Sequence, residues 1–125
     1  MAEALNGVRV LVVEDHTDSR DMLEQALQFL GAEVIAVSTA EAAAARLADA
    51  DIVVTDYALP DHDGVWLLDQ IRASRLGIPA ILLSGFAASQ VPAVGAAPFM
   101  LRILKPIDPL ELGRHIASVL ERAPR

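Results

Sequence analysis

The sequence contains no cysteine. A chain without thiols can form neither disulfides nor a thiolate metal site, so its stability has to come from an ordinary hydrophobic core. Its 125 residues, 54% of them hydrophobic, are enough to form such a core. We expect a single domain over residues 1–125, with its core between residues 8 and 121.

Basic residues are scarce. Ten lysines and arginines stand against 17 aspartates and glutamates, which gives a net charge of −7. Binding to nucleic acid depends on neutralising phosphates with lysine and arginine. The charge therefore predicts that nucleic acid is not a partner.

Long apolar runs are missing as well. No window approaches the roughly 18 consecutive apolar residues of a membrane span. The start of the chain, residues 1–7, has neither the basic region nor the apolar run of a signal peptide. Together with the absence of cysteine, this pattern predicts a cytoplasmic protein without a membrane partner.

Short apolar runs alternate with helical patterns along the chain. The predicted strands cover residues 8–13, 33–37, 51–55, 80–83 and 100–104. Leucines at helical spacing follow the first run and end at Gly31, which suits the left-handed position after a helix. Strands that alternate with helices predict an α/β fold of three layers, a doubly wound five-stranded parallel sheet with helices on both faces.

Capping residues mark the predicted helix boundaries. Ser38 and Glu41 are spaced as a capping box ahead of an alanine-rich helix that should run to about Ala48. Asp108 and Pro109 suit the N-cap and the first position of the last helix. The buried stripe of that helix should consist of Leu112, Ile116, Val119 and Leu120.

The segment between the last two strands is the weak part of the helical pattern. Residues 86–99 contain Pro92, Gly95 and Pro98, which are poor helix residues. We therefore expect the fourth helix to be short or irregular. Phe86 and Phe99 flank it, and we expect them in the core, with a partner surface as the alternative.

Polar residues follow four of the predicted strands. They are Glu14 and Asp15 after the first strand, Asp56 after the third, Ser84 after the fourth and Lys105 after the fifth. In an open parallel sheet the carboxyl ends of the strands meet at one edge, where ligands of such folds bind. Each residue alone suits a structural turn or cap, but their joint position favours a site.

Three crowded carboxylates repel one another unless a cation lies among them. Their oxygen atoms suit Mg²⁺ or Mn²⁺, and Mg²⁺ also takes phosphate oxygens as ligands. A lysine and a hydroxyl nearby would stabilise the charge on a transferring phosphoryl group. One carboxylate would then accept that group. Asp56 is the candidate, because it follows the middle strand.

Four segments resemble the receiver domains of bacterial two-component response regulators. They are Val10–Asp15, Asp56–Gly64, Leu82–Gly85 and Lys105–Pro109, in the order and at the spacing of that family. The resemblance extends over residues 8–120. It implies a flavodoxin-like fold with strand order 2-1-3-4-5. It also implies a switch that takes phosphate from a sensor histidine kinase or a phosphotransfer protein.

The resemblance implies a role for each of these acids. Asp56 would be the phosphoacceptor. Asp15, Asp56 and the backbone carbonyl of Ala58 would bind Mg²⁺ directly, and Glu14 would act through a water molecule. The protein would accept phosphate and hydrolyse it slowly, so we do not expect a conventional enzyme.

The resemblance also predicts the two residues that would read the phosphoryl group. Ser84 and Lys105 would each bind one of its oxygens, and the Lys105–Pro106 peptide would be cis. The bonded Ser84 would then bias a surface towards a downstream protein that the sequence does not identify.

Two features depart from the family pattern. Arg102 occupies the position, three residues before the lysine, where the family has an aromatic switch residue, and the segment from Gly95 to Lys105 is longer than usual. Arg102 could be a switch residue or an ordinary charge on an edge strand. Neither departure affects the residues of the phosphorylation chemistry. They do affect the surface of helix four, strand five and helix five through which the family passes on its signal, so that signalling route is not predicted for this chain.

The histidines and the tryptophan lie outside these motifs. His16, His62 and His115 are expected at the surface. The alternative for His16 is a position beside the cation site, and the alternative for His62 is control of access to Asp56. Trp66 is expected to pack at the start of the third helix, with contact to a partner as the alternative.

Four alternative functions match this sequence to different degrees. A receiver fold that has lost its switch would explain Arg102, and a receiver segment of a hybrid histidine kinase would explain the loop after Ser84. A phosphatase with an aspartyl nucleophile would need a second acid two residues later, where Ala58 stands. A flavin carrier would need a loop that attracts phosphate after the first strand, where the acid pair would repel it.

Overall fold

The computed structural model describes residues 4–85 and 101–122. Its strands are β1 (Arg9–Val13), β2 (Glu33–Val37), β3 (Ile52–Asp56), β4 (Ala80–Ser84) and β5 (Leu101–Leu104). Its α-helices, numbered among the described residues, are α1 (Thr17–Phe29), α2 (Ala40–Ala44), α3 (Gly64–Ser74) and α4 (Pro109–Arg122). A short 3₁₀ helix spans Leu47–Asp49.

All five strands pair in parallel, in the order β2-β1-β3-β4-β5. The predicted fold class and strand order are therefore confirmed. The three inner strands are apolar along nearly their whole length, because helices cover both faces of the sheet. Their carboxyl ends meet at one edge, and this arrangement creates the site.

Two hydrophobic clusters lie on opposite faces of the sheet. On one face, α1 and α4 pack against alternate residues of the inner strands, such as Val12 and Val54. On the other face, α2 and α3 pack against the intervening residues, such as Leu11 and Val53. This alternation follows from the two-residue period of a strand, and it holds every strand end in a fixed register.

The start and the length of α2 differ from the prediction. Ser38 as its capping residue was wrong, because Thr39 is the N-cap and its hydroxyl accepts the amide of Ala42 at 3.1 Å. The predicted extent to Ala48 was also wrong. The α-helix ends at Ala44. The tighter 3₁₀ turn that follows brings the side chain of Leu47 into the core, so that only 5% of this residue is exposed.

The other predicted helix boundaries agree with the structure. Gly31 follows α1 with a φ of +99°, as expected for the left-handed position. The carboxylate of Asp108 accepts the amide of Leu110 at 2.8 Å at the start of α4. Leu120 is only partly buried, whereas Leu112, Ile116 and Val119 are fully buried.

Several predictions fall outside the described residues. They concern the fourth predicted helix, Met100 in the fifth strand, and the core positions of Phe86 and Phe99. In the described ranges, 4–85 and 101–122, no helix has the length and apolar character needed to cross a membrane.

Candidate phosphoryl site

The carboxyl ends of the inner strands border a cleft of about 220 Å³. The residues that line it are Asp15, His16, Asp56, Tyr57, Ala58, Leu83, Ser84, Gly85 and Lys105. All the predicted site residues except Glu14 and Arg102 are therefore in this lining. Glu14 reaches the cleft through its bond to Lys105, whereas Arg102 is exposed on β5.

Lys105 is the residue that joins the strands of the site. Its ammonium donates to Oδ1 of Asp56 at 3.0 Å and to Oε1 of Glu14 at 3.2 Å. Its backbone N–H donates to the carbonyl of Ser84 at 2.8 Å, which fixes the base of the side chain beside β4. The Lys105–Pro106 peptide is cis, as predicted.

The acids of the site differ in exposure. Glu14 is 1% exposed and Asp56 is 5% exposed, whereas the side chain of Asp15 is 37% exposed. Asp15 therefore lies towards the mouth of the cleft, and the other two carboxylates lie at its base. Buried charges of like sign require a cation nearby, and a single ammonium balances only one of them.

This crowding shows in the acid–base behaviour of the buried pair. Burial raises the pKa of Asp56 to about 7, and the adjacent Glu14 carboxylate raises it as well, against the opposing effect of Lys105. Burial also opposes ionisation of Glu14. However, its hydrogen bonds with Asp56 and the His16 amide, and the charge of Lys105, lower its pKa to about 2.

The donor set fits a hard divalent cation. Three carboxylates and the carbonyl of Ala58 lie at or beside the cleft, and oxygen ligands of this kind suit Mg²⁺ or Mn²⁺. A second positive charge would relieve the repulsion that raises the pKa of Asp56. The residues present therefore match the cation that the sequence predicts.

The loop after β3 is fixed at both of its ends. The carbonyl of Tyr57 accepts the amide of Gly64 at 2.7 Å, and Ala58 pairs with Asp63 in a short antiparallel bridge. Asp63 then caps α3 by accepting the amide of Trp66 at 2.9 Å. These bonds hold the Ala58 carbonyl beside Asp56.

Gly64 is tightly packed beneath this loop. A Cβ atom there would lie 2.8 Å from Cδ1 of Leu82 and 3.0 Å from the carbonyl oxygen of Asp56. Gly64→Ala is therefore expected to lower the free energy of unfolding by about 1–3 kcal/mol, the usual cost of overpacking. Urea denaturation measures this loss.

The matched control for that prediction is Gly85→Ala. A Cβ atom at Gly85 has no neighbour within 4 Å among the atoms described, so we expect a change below about 0.5 kcal/mol. Equal effects of the two substitutions would contradict the packing explanation.

Two positioning contacts were missed in the sequence. The guanidinium of Arg20 donates to the carbonyls of Glu14 at 3.0 Å and Asp15 at 3.4 Å, which holds the acid pair against α1. The carboxylate of Asp61 accepts the amides of Ala40 and Glu41 at 2.9 and 2.8 Å, which joins the loop after β3 to α2. The first depends on where α1 begins and the second on adjacent loops, and neither is visible in a sequence pattern.

The histidines and Trp66 lie near the predicted positions. His115 is exposed, and so is His16, although His16 also lines the cleft, which was the alternative prediction. Trp66 packs at the start of α3, as expected. His62 is partly buried rather than fully exposed, because its ring stacks on Trp66 with centroids 3.7 Å apart and bonds to Glu41 at 3.2 Å.

Known proteins share this fold and sequence pattern. The uncharacterized transcriptional regulatory protein YbdJ of Bacillus subtilis is 32% identical over 117 residues, which cover 94% of this chain and 52% of that protein. The virulence sensor protein BvgS of Bordetella pertussis is 41% identical over 127 residues, or 94% of this chain and 10% of that protein. This chain thus spans about half of one relative and a tenth of the other.

A solved structure agrees with the fold. The CheY-like response regulator receiver domain protein of Methanospirillum hungatei JF-1 superposes with a TM-score of 0.82 at 30% identity. The match covers 91% of this chain and 94% of that one. The family model described as the response regulator receiver domain matches residues 10–117. The chain therefore belongs to the response regulator receiver domain family, the phosphoryl-accepting domains of two-component signal transduction.

Proposed function

We propose that Asp56 accepts a phosphoryl group from a sensor histidine kinase or a phosphotransfer protein, with Mg²⁺ or Mn²⁺ as the cofactor. The observation that carries this proposal is the 3.0 Å bond between Asp56 and Lys105 in the cleft. It joins a buried carboxylate to a partly exposed ammonium that can also reach an incoming group. We further propose that residues 1–125 act as one receiver domain.

The transfer forms one bond and breaks one. An Oδ atom of Asp56 attacks the phosphorus of a phosphohistidine, and the phosphorus–nitrogen bond breaks, leaving its electron pair on the donor's imidazole. Asp56 must be ionised to attack. Burial and Glu14 raise its pKa to about 7, which disfavours the ionised form near neutral pH. The Lys105 ammonium and a bound cation oppose this effect and favour the ionised, reactive form.

The other residues stabilise the charge of the transferred group. Asp15, Asp56 and the Ala58 carbonyl would hold the cation, and Glu14 would act through water. When bound, the cation supplies positive charge against the phosphoryl oxygens. Lys105 would exchange its bond with Asp56 for one phosphoryl oxygen, and the Ser84 hydroxyl would donate to another.

The signal would leave the domain through protein contacts. The net charge of −7 disfavours nucleic acid as the partner, and we expect a downstream protein instead. Formation of a phosphoryl bond by Ser84 would bias the surface near β5, where Arg102 is exposed. Arg102 would then have a switch role without the aromatic side chain of the family.

A second function is supported by one relative. The 41% identity with the sensor protein BvgS favours a role as the receiver segment of a hybrid histidine kinase. The chemistry at Asp56 would be the same, but the donor would belong to the same polypeptide. A receiver that contacts its partner without phosphorylation is the remaining alternative.

Intact-mass measurement tests the phosphoacceptor. The protein is incubated with phosphoramidate and Mg²⁺, and we expect an adduct of one phosphoryl group on the wild type and none on Asp56→Asn. Asp63→Asn is the matched control, because it changes an acid of the same loop that caps α3, and asparagine caps equally well. An equal adduct on Asp56→Asn, or none on the wild type while a known receiver labels, would refute the assignment.

Partner binding separates the remaining alternatives. Affinity for a captured partner is measured with beryllofluoride, which mimics the phosphoryl group, and without it. The proposed switch predicts that the affinity of the wild type changes and that the affinity of Asp56→Asn does not. An unchanged wild-type affinity would favour the interaction module.

A further inference from the structure

His16 lies beside two of the acids proposed to act with the cation. Its Nδ1 atom is 3.4 Å from Oε2 of Glu14 and 3.5 Å from Oδ1 of Asp15. The imidazole lines the same cleft as Asp56. One ligand atom from each of these three neighbours lies within 4.8 Å of the others. The cation proposed for this cleft would therefore meet a nitrogen donor as well as oxygens.

These separations match those of atoms bound to one transition-metal ion. Imidazole nitrogen and carboxylate oxygen lie about 2.0–2.2 Å from such an ion, which puts neighbouring ligand atoms roughly 3–3.5 Å apart. Imidazole is a good ligand for transition metals, whereas Mg²⁺ prefers oxygen alone.

The backbone of His16 is held in place on both sides. Its N–H donates to Oε2 of Glu14 at 3.2 Å, and its carbonyl accepts the N–H of Arg20 at 2.9 Å, which is the first bond of α1. Although His16 is the N-cap residue of α1, its side chain makes no capping bond. The backbone of His16 is therefore fixed at the mouth of the cleft, and its exposed ring is accessible to an ion there.

We propose that His16 is a ligand in the cation site and makes it selective for a first-row transition ion such as Mn²⁺ over Mg²⁺. This inference rests on the proposed cation site and deepens it. The ion held by Asp15, Asp56 and the Ala58 carbonyl would take the His16 imidazole as a further ligand at the mouth of the cleft. The selectivity of this receiver would then be set by the residue that follows its acid pair.

A simple ion pair is the competing explanation. The side chain of His16 is 77% exposed, and an exposed pair of this kind contributes little. A histidine acting only as a positive charge would repel every divalent cation equally. Removing it would strengthen Mg²⁺ and Mn²⁺ binding alike, whereas removing a ligand would weaken Mn²⁺ binding selectively.

Calorimetric titration with Mg²⁺ and with Mn²⁺ tests the proposal on the intact chain. We expect His16→Ala to weaken Mn²⁺ binding by about 10- to 100-fold, the range seen for residues that support a metal site, and to leave Mg²⁺ binding within about 3-fold. The ratio of the two dissociation constants is the decisive number. His16→Ser repeats the measurement with a residue that favours the helix start, so that fraying of α1 cannot mimic the result.

A spectroscopic measurement identifies the ligand directly. Electron spin echoes of bound Mn²⁺ should carry the modulation of a coordinated imidazole nitrogen in the wild type and lose it in His16→Ala. His62→Ala is the matched control, because His62 also lies beside two acids, Glu41 and Asp61. Both oxygens of Asp61 already accept backbone amides, so we expect this variant to retain the modulation.

The outcomes separate this inference from the proposed function. Cation binding with an unchanged Mn²⁺ to Mg²⁺ ratio in His16→Ala would overturn the role of His16 and leave the phosphoacceptor standing. Nitrogen modulation that persists in His16→Ala would overturn it too. The absence of any divalent binding by the wild type would overturn both this inference and the proposed cofactor.

Discussion

Lys105→Met is expected to slow phosphorylation of Asp56 by small donors about 100-fold. Among the described residues, the Lys105 ammonium is the positive charge in contact with the proposed acceptor, and it lies 3.0 Å from Oδ1 of Asp56. It lies partly buried, where a fixed charge stabilises a developing negative charge more effectively than water does. Loss of one such donor typically costs about 10²–10³ in rate.

The rate is measured as the growth of the adduct by intact mass at saturating Mg²⁺. Methionine retains an unbranched apolar stem, so the packing of the side chain changes little. Arg114→Met is the matched control, since it removes one positive charge from an exposed position on α4. If both variants label at the wild-type rate, Lys105 has no part in the transfer.

Magnesium is expected to stabilise the wild type and to lose most of this effect in Asp56→Asn. A cation that binds only the native state adds about 2.7 kcal/mol to the free energy of unfolding at 100 times its dissociation constant. Asp56 lies 5% exposed beside a second buried acid, so a divalent charge in the cleft relieves strong repulsion. Urea denaturation at pH 8, with Mg²⁺ or with a chelator, measures the difference.

Without metal, we expect Asp56→Asn to have the higher free energy of unfolding and the wild type the lower one. Burial raises the pKa of Asp56 above that of the unfolded chain, to about 7, so its ionised form destabilises the native state at pH 8. Asp56→Asn removes that charge, and the amide oxygen can still accept from Lys105. We therefore expect the variant to be more stable than the wild type in chelator, by about 1–4 kcal/mol. A rise of about three pKa units corresponds to about 4 kcal/mol, and loss of the attraction between Asp56 and Lys105 offsets part of it. A less stable variant would show that the acids are already neutralised within the protein.

Lys105 contacts residues at the carboxyl ends of three other strands. The ammonium joins β5 to β1 and β3 through two carboxylates, and its backbone joins β5 to β4. A phosphoryl group on Asp56 would compete for one of these bonds. We therefore expect the carboxyl end of β5, the strand that carries the exposed Arg102, to respond to phosphorylation.

The fold could be predicted from the sequence because it follows from local patterns. The inner strands are buried on both faces, so each appears as a continuous apolar run that ends at a polar residue. Parallel connection then brings those polar residues to one edge whatever the details of packing. For this reason the order of apolar runs and polar residues was enough to place Asp56, Ser84 and Lys105 together.

The predicted N-cap of α2 was wrong because the start of this helix also depends on a residue distant in sequence. Ser38 and Thr39 are equally good capping residues by type, and their hydroxyls differ only in which one faces the first turn of α2. The carboxylate of Asp61, from another loop, accepts the first two amides of that helix. No pattern within residues 38–48 contains that information.

The pattern of apolar runs and polar residues predicted the parallel sheet, the edge where the acids meet and the proposed acceptor, and the resemblance to receiver domains supplied the strand order. Three features emerged from the folded structure alone: Glu14 and Asp56 share one ammonium, Arg20 holds the acid pair, and His16 lines the cleft. The physical reason is the separation along the chain of the residues that interact. Hydrophobic periodicity is set by neighbours along the chain, whereas hydrogen bonds and charge coupling depend on ångström distances between residues that only folding brings together.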